Sequence, residues 1–236
     1  MKTGHPQISK SGLLVTDANH RGILTKYANT CGWVLCIGAG TSRGVFHDWK
    51  QLASRLLKQS GNACSDVAIE KFLIEFGPAA LMQASINALK GKNTSDDSIA
   101  GSIALALYGP LQKKSGGNWL TVAQALTTRQ PSSLPVKKWQ ILRRMVDKFK
   151  QASAPSIAEA IADVALTKKQ PAGIITFNAE PLLFALINAA IAVRGDDKKD
   201  VIIMDRMAHN LATRHRDRIP YYYAHGFVRH RVTARL

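Results

Sequence analysis

Residues 32–37 (Gly-Trp-Val-Leu-Cys-Ile) form a short apolar run that stops at Gly38, and Ala39, Gly40, Thr41 and Ser42 follow at once. A continuous run of strand formers ending in glycines marks a buried parallel strand that feeds a ligand loop. Residues 48–58 then place Trp49, Leu52, Ala53 and Leu56 at helical spacing, with the charges on the opposite face. From residue 65 to about 168 every segment has helical character. Ser65 caps the first helix, Gly77-Pro78 closes it, and polar loops separate the apolar-periodic stretches that follow. Strand character returns at residues 173–178 and 201–204, with a fourth run at 219–224, and a helix lies between the first two. The pattern predicts an α/β fold: a Rossmann-like parallel sheet interrupted by a large all-helical insertion at about 65–168. A chain of 236 residues with ordinary globular composition fits one such domain.

The remaining bulk features narrow the function. Cys31, Cys36 and Cys64 are too few and too scattered for a disulfide framework and contain no C-x-x-C pair, so we expect no structural zinc and a reducing, cytoplasmic setting. The N-terminus lacks the apolar run of a signal peptide. Residues 174–193 are apolar but contain Asn178, Glu180, Pro181 and Asn188, so they are expected to be a strand and a core helix, not a membrane span. His209, His215, His225 and His230 crowd the C-terminal region without a recognisable ligand spacing, and no metal is expected. The net charge is +16, and segments 137–150 and 214–235 each carry six basic residues against one aspartate. They are either solvated faces or a footprint for nucleic acid.

Three short motifs carry chemistry, each at the expected end of a strand. Gly38, Ala39, Gly40, Thr41 and Ser42 are suited to a pyrophosphate, since glycine lets backbone approach it and a following helix N-terminus offers N–H groups and a favourable dipole. A tight strand-to-helix turn would have the same composition. The full G-x-G-x-x-G fingerprint is absent, with Arg43 at the third glycine position, which disfavours an ordinary dehydrogenase site. Thr176, Phe177, Asn178, Ala179 and Glu180 place an amide beside an acid, able to orient a water and hold ribose hydroxyls, or simply to cap the next helix. His225-Gly226 offers a base with room for substrate beside it, or a structural histidine. No G-x-S-x-G or Walker sequence is present.

In their order and spacing, Gly38-Ala-Gly-Thr-Ser42, Trp49, Thr176-Phe-Asn178 and His225-Gly226 resemble the sirtuin-like superfamily, and most closely its bacterial antiphage-defence branch of NAD-depleting Thoeris-type effectors. The resemblance implies that Gly38, Ala39, Gly40, Thr41 and Ser42 contact the phosphates of NAD, with Thr176 and Glu180 also on the cofactor side. It implies that Asn178 orients the attacking water and that His225 is the base. Glu180 stands where the family most often has aspartate, one methylene shorter. Deacylating sirtuins carry a four-cysteine zinc ribbon that this chain lacks, which disfavours lysine deacylation. The family continues past the histidine with strands for the adenosine half of NAD, so the domain is expected to be C-terminally incomplete or completed by another chain, as a homo-oligomer or in a defence complex. The expected function is NAD hydrolysis at the nicotinamide–ribose bond. The alternative is a degenerate module that binds nucleic acid or a partner protein. The site requires residues 38–42 and Asn178 to lie within about 15 Å of each other, the scale of a dinucleotide bridging adjacent strand ends.

Overall fold

The expected strands form, and they form one sheet. The structure, a computed structural model, describes residues 33–62, 64–91, 95–165, 170–195, 200–204 (backbone) and 218–224. Its strands are β1 (Val34–Ile37), β2 (Gly173–Thr176), β3 (Asp200–Met204) and β4 (Arg218–Tyr223), all parallel, in the order β1-β2-β4-β3. Between β1 and β2 lie α1 (Trp49–Ser60), α2 (Asp66–Lys90), α3 (Asp96–Ser115), α4 (Trp119–Thr127), α5 (Val136–Val146) and α6 (Ala154–Ala165). α7 (Leu182–Val193) connects β2 towards β3. The architecture is α/β with an all-helical excursion between its first two strands.

Local chemistry sets the helix ends. Asp48 caps α1 through a capping box with Gln51, and Gly61 closes it in the left-handed conformation at φ 82°. Ser65 and Ser95 accept backbone N–H bonds at the starts of α2 and α3. α2 bends at Gly77, whose φ of 79° and ψ of 172° stand outside the helix just before Pro78. α2 is the one described helix whose length and composition would allow it to cross a membrane. The break leaves two pieces, each well short of the roughly 20 residues a span needs.

The core gathers around α7. Leu182 to Ile191 are all buried, as expected from their unbroken apolar run. Asn188, the one polar residue among them, donates its amide back to the Phe184 carbonyl at 2.9 Å, so it enters the core already satisfied. α6 and α7 flank β2 in sequence and pack against each other, as do α5 and α7. The β1-to-β2 and β2-to-β3 connections step the same way across the sheet, and a right-handed hand for both puts them on one face. Glu159 of α6 ties this layer together, accepting Arg143 of α5 at 2.5 Å and Arg194 beyond α7 at 2.7 Å.

Candidate functional site

Register brings the motifs together. Ile37 pairs with Thr176 and Thr176 with Tyr223, so β1, β2 and β4 end level. The ladder runs one residue further on each side: Phe177 N donates to the Ile37 carbonyl and Ala224 N to the Thr176 carbonyl, both at 2.9 Å. The loops after β1 and β2 therefore leave side by side. The chain leaves β4 at the same end, but His225 and Gly226 lie outside the described residues.

The first loop is a short turn. Gly38 is extended, Ala39–Ser42 wind into one 3-10 turn, and Thr41 Oγ1 donates to the Gly38 carbonyl at 3.1 Å. Ser42 carbonyl then accepts from Val45 N and Phe46 N. Gly44, at φ 82°, supplies the left-handed residue this reversal needs. Val45 and Phe46 anchor the loop in the core, with Phe46 edge-on to buried Tyr108 at 5.3 Å.

Asn178 and Glu180 lock the second loop to the first. Asn178 Nδ2 lies 3.0 Å from Thr41 Oγ1, 3.0 Å from Glu180 Oε1 and 3.5 Å from Ser42 Oγ. Ser42 Oγ donates to Glu180 Oε1, and Leu182 N donates to Glu180 Oε2 at 2.6 Å. Ser42 and Glu180 are 138 residues apart in the chain, joined across one pair of strands. Residues 38–42 and Asn178 are thus in direct contact, well inside the separation a dinucleotide would bridge. The Glu180 carboxylate is buried and meets only neutral donors, so desolvation pushes its pKa up to about 7 against the opposing pull of Ser42, Leu182 and Asn178. The remaining atom of the cluster, Asn178 Oδ1, is buried without a partner.

A cavity of about 430 Å³ opens over this cluster. Ala39, Gly40, Ser42, Asn178 and Glu180 line it from the sheet side, and His47, Trp49 and Gln51 from the start of α1. Its size suits a small-molecule site. Gly38 and Thr41 stand outside the lining, although Thr41 binds Asn178. Thr176 is fully buried below the loops, where its hydroxyl accepts from Asn178 N at 3.1 Å, so it shapes the strand end from beneath. Neither Gly38 nor Gly40 has a left-handed φ, and a Cβ at either would meet no protein atom within 4 Å. The protein's own backbone and packing do not require glycine at these two positions. At Gly40 the open space is that of the cavity.

One expectation changes. The glycine loop does not run straight into a helix N-terminus, because α1 begins only at Trp49 and its first turn is already capped by the Asp48 carboxylate, which accepts Gln51 N at 2.8 Å. An anion at the glycine loop would depend on loop backbone, not on the helix dipole. Segment 137–150 leaves Lys137, Arg144, Lys148 and Lys150 exposed. Its helix buries Trp139, Leu142 and Val146, Arg143 is paired with Glu159, and Lys138 donates to Gln124 Oε1 at 2.7 Å. Of segment 214–235, only residues 218–224 lie within the described part. There β4 carries buried Ile219, Tyr221, Tyr222 and Tyr223 alongside exposed Arg218.

His47 is the residue the motifs did not reveal. Gln51 Oε1 accepts from Asp48 N at 3.3 Å and lies 3.1 Å from His47 Nδ1, so that ring nitrogen carries the proton. Nε2 is left as a lone-pair acceptor, and it is buried without a partner. Burial holds the imidazole below its ordinary pKa, opposed by the Gln51 bond and reinforced by nearby Arg55. The Asp48-x-x-Gln51 spacing is a legible capping box, and His47 just before it was the available signal. Among the described residues no group of three or more His, Cys, Asp or Glu is arranged to hold a metal. Comparison with family models, with curated proteins and with solved structures gives no match for this chain.

Proposed function

We propose that this chain is a sirtuin-like domain on a Rossmann-like sheet that binds NAD across the ends of β1 and β2 and hydrolyses its nicotinamide–ribose bond, acting in antiphage defence as the family it resembles does. The observation that carries the reading is Asn178. Its amide nitrogen is held by Thr41 and Glu180, while its carbonyl oxygen is buried and unpartnered beside the cavity. A buried acceptor without a donor is costly, and a water or ribose hydroxyl held there would satisfy it.

Loss of the cationic nicotinamide leaves an oxocarbenium-like ribose carbon, so the protein has to hold the dinucleotide, exclude bulk water and aim one nucleophile. The loop from Gly38 to Ser42 takes the pyrophosphate in this reading. Asn178 Oδ1 accepts a hydrogen from the attacking water and points its oxygen lone pair at the ribose. Glu180 accepts from the amide nitrogen and so fixes the orientation of the amide, and in its ionised form places negative charge near the developing positive centre. His225 is the base by resemblance. The test is to incubate the purified protein with NAD and follow nicotinamide and ADP-ribose by chromatography. Wild type should release both, and Asn178→Ala should release neither while melting as a folded protein. A folded Asn178→Ala variant that turns over NAD at the wild-type rate would overturn the assignment.

A further inference from the structure

Beside the strand-end cavity lies a second depression of about 860 Å³, and Gly44 and His47 line both, so the two are contiguous. Its charge is one-sided. Arg55 reaches it from α1, Lys113 and Lys114 from the last turn of α3, and no carboxylate is among its lining residues. None of these three cations forms an ion pair among the described residues, whereas Lys50, Arg143 and Arg194 all do. Lys114 is held in place: its ammonium stands 4.2 Å from the centroid of the Phe149 ring and donates to the Lys148 carbonyl at 3.3 Å. Like charges gathered in one concavity raise the local potential and concentrate anions there. A phosphoryl group answers that field with several acceptor oxygens at once. At the boundary, His47 offers the opposite chemistry, an unpartnered ring acceptor that Gln51 keeps in one tautomer. A hydroxyl donor, and not an anion, satisfies it.

We propose that this depression binds a phosphorylated sugar, its phosphate among Arg55, Lys113 and Lys114 and a hydroxyl donating to His47 Nε2. The sugar phosphate is either the 2′-phosphorylated ribose of a dinucleotide reaching over from the strand-end cavity or a separate small ligand. The first source rests on the NAD reading; the anion subsite itself does not.

Calorimetric titration of the full chain with ribose 5-phosphate, inorganic phosphate, NAD and NADP decides between them, using wild type, Lys113→Gln/Lys114→Gln and His47→Phe, each checked for an unchanged melting profile. Ribose 5-phosphate should bind more tightly than inorganic phosphate. The lysine variant should weaken it by about tenfold or more, the scale of losing charge-assisted contacts, and His47→Phe should remove the preference over inorganic phosphate. A wild-type preference for NADP over NAD that collapses in the lysine variant identifies the shared-ligand source. Equal binding of the two dinucleotides alongside variant-sensitive ribose 5-phosphate identifies a separate ligand. If neither dinucleotide binds but ribose 5-phosphate does, the NAD reading fails and this one stands. No ribose 5-phosphate binding, or binding indifferent to the lysine substitutions, or inorganic phosphate bound equally well, overturns it even if NAD binds.

Discussion

α7 and α2 are both apolar helices, yet they end in opposite environments. Every residue of α7 from Leu182 to Ile191 is buried, while α2 leaves Val67, Ile74 and Phe76 at 75%, 87% and 56% exposure. Composition does not decide this; attachment to the sheet does. α7 starts at the residue whose N–H binds Glu180, packs on α5 and α6, and meets the turn of the glycine loop. α2 packs chiefly on α1, and its bend at Gly77 turns its two halves differently. The site is therefore fastened to the most deeply packed of the described helices, and the apolar face of α2 contributes little to holding it.

The contrast can be broken from its strong side. Phe184 is 1% exposed and meets Tyr221 edge-on at 5.5 Å, so Phe184→Ala should cost about 3–5 kcal/mol in urea unfolding. A loss under about 1 kcal/mol would show that α7 is not the anchor described here. Next in size is the buried carboxyl at its head. The folded-state pKa of Glu180, about 7, lies above its ordinary value of 4.5. The folded protein therefore holds its proton more tightly than the unfolded chain does. Stability linked to Glu180 is fully present below pH 4.5 and is lost as pH rises towards 7. The loss is on the order of 3 kcal/mol. Glu180→Gln should remove that slope in unfolding curves taken across the same range, and a variant with the wild-type slope would discharge Glu180 from the role. On the weak side, Ile74→Ser should change the unfolding midpoint by no more than about 0.5 kcal/mol equivalent. A larger loss would mean that the outer face of α2 is covered in solution.

The strands and their ends were legible because apolar runs stopping at Gly38 and Asn178 leave few alternatives, and parallel pairing then sets the two loops side by side. The buried fate of residues 182–191 was legible for the same reason. His47 was not, because its spacing to Gln51 acquires meaning only once α3 closes the other wall, and that closure does not show in a one-dimensional pattern. The second depression was hidden similarly. Arg55, Lys113 and Lys114 are unremarkable surface residues until α1 and α3 bring them together. In segment 137–150 a count of charges cannot see that Arg143 has Glu159 as its partner and that Trp139 is buried.

The level strand ends also fix when the site can exist. Among the described residues β1 has a single sheet neighbour, β2, and the bond between Ser42 and Glu180 spans 138 residues. At ordinary synthesis rates the ribosome needs on the order of ten seconds to make that stretch. Throughout that interval Gly38 to Ser42 have been translated but have nothing to close against. Loop closure over such a distance is also slow compared with forming the six intervening helices, each built from local contacts. The helical excursion can therefore mature first and the two loops meet last, so a growing chain carries no assembled site until α7 has left the ribosome.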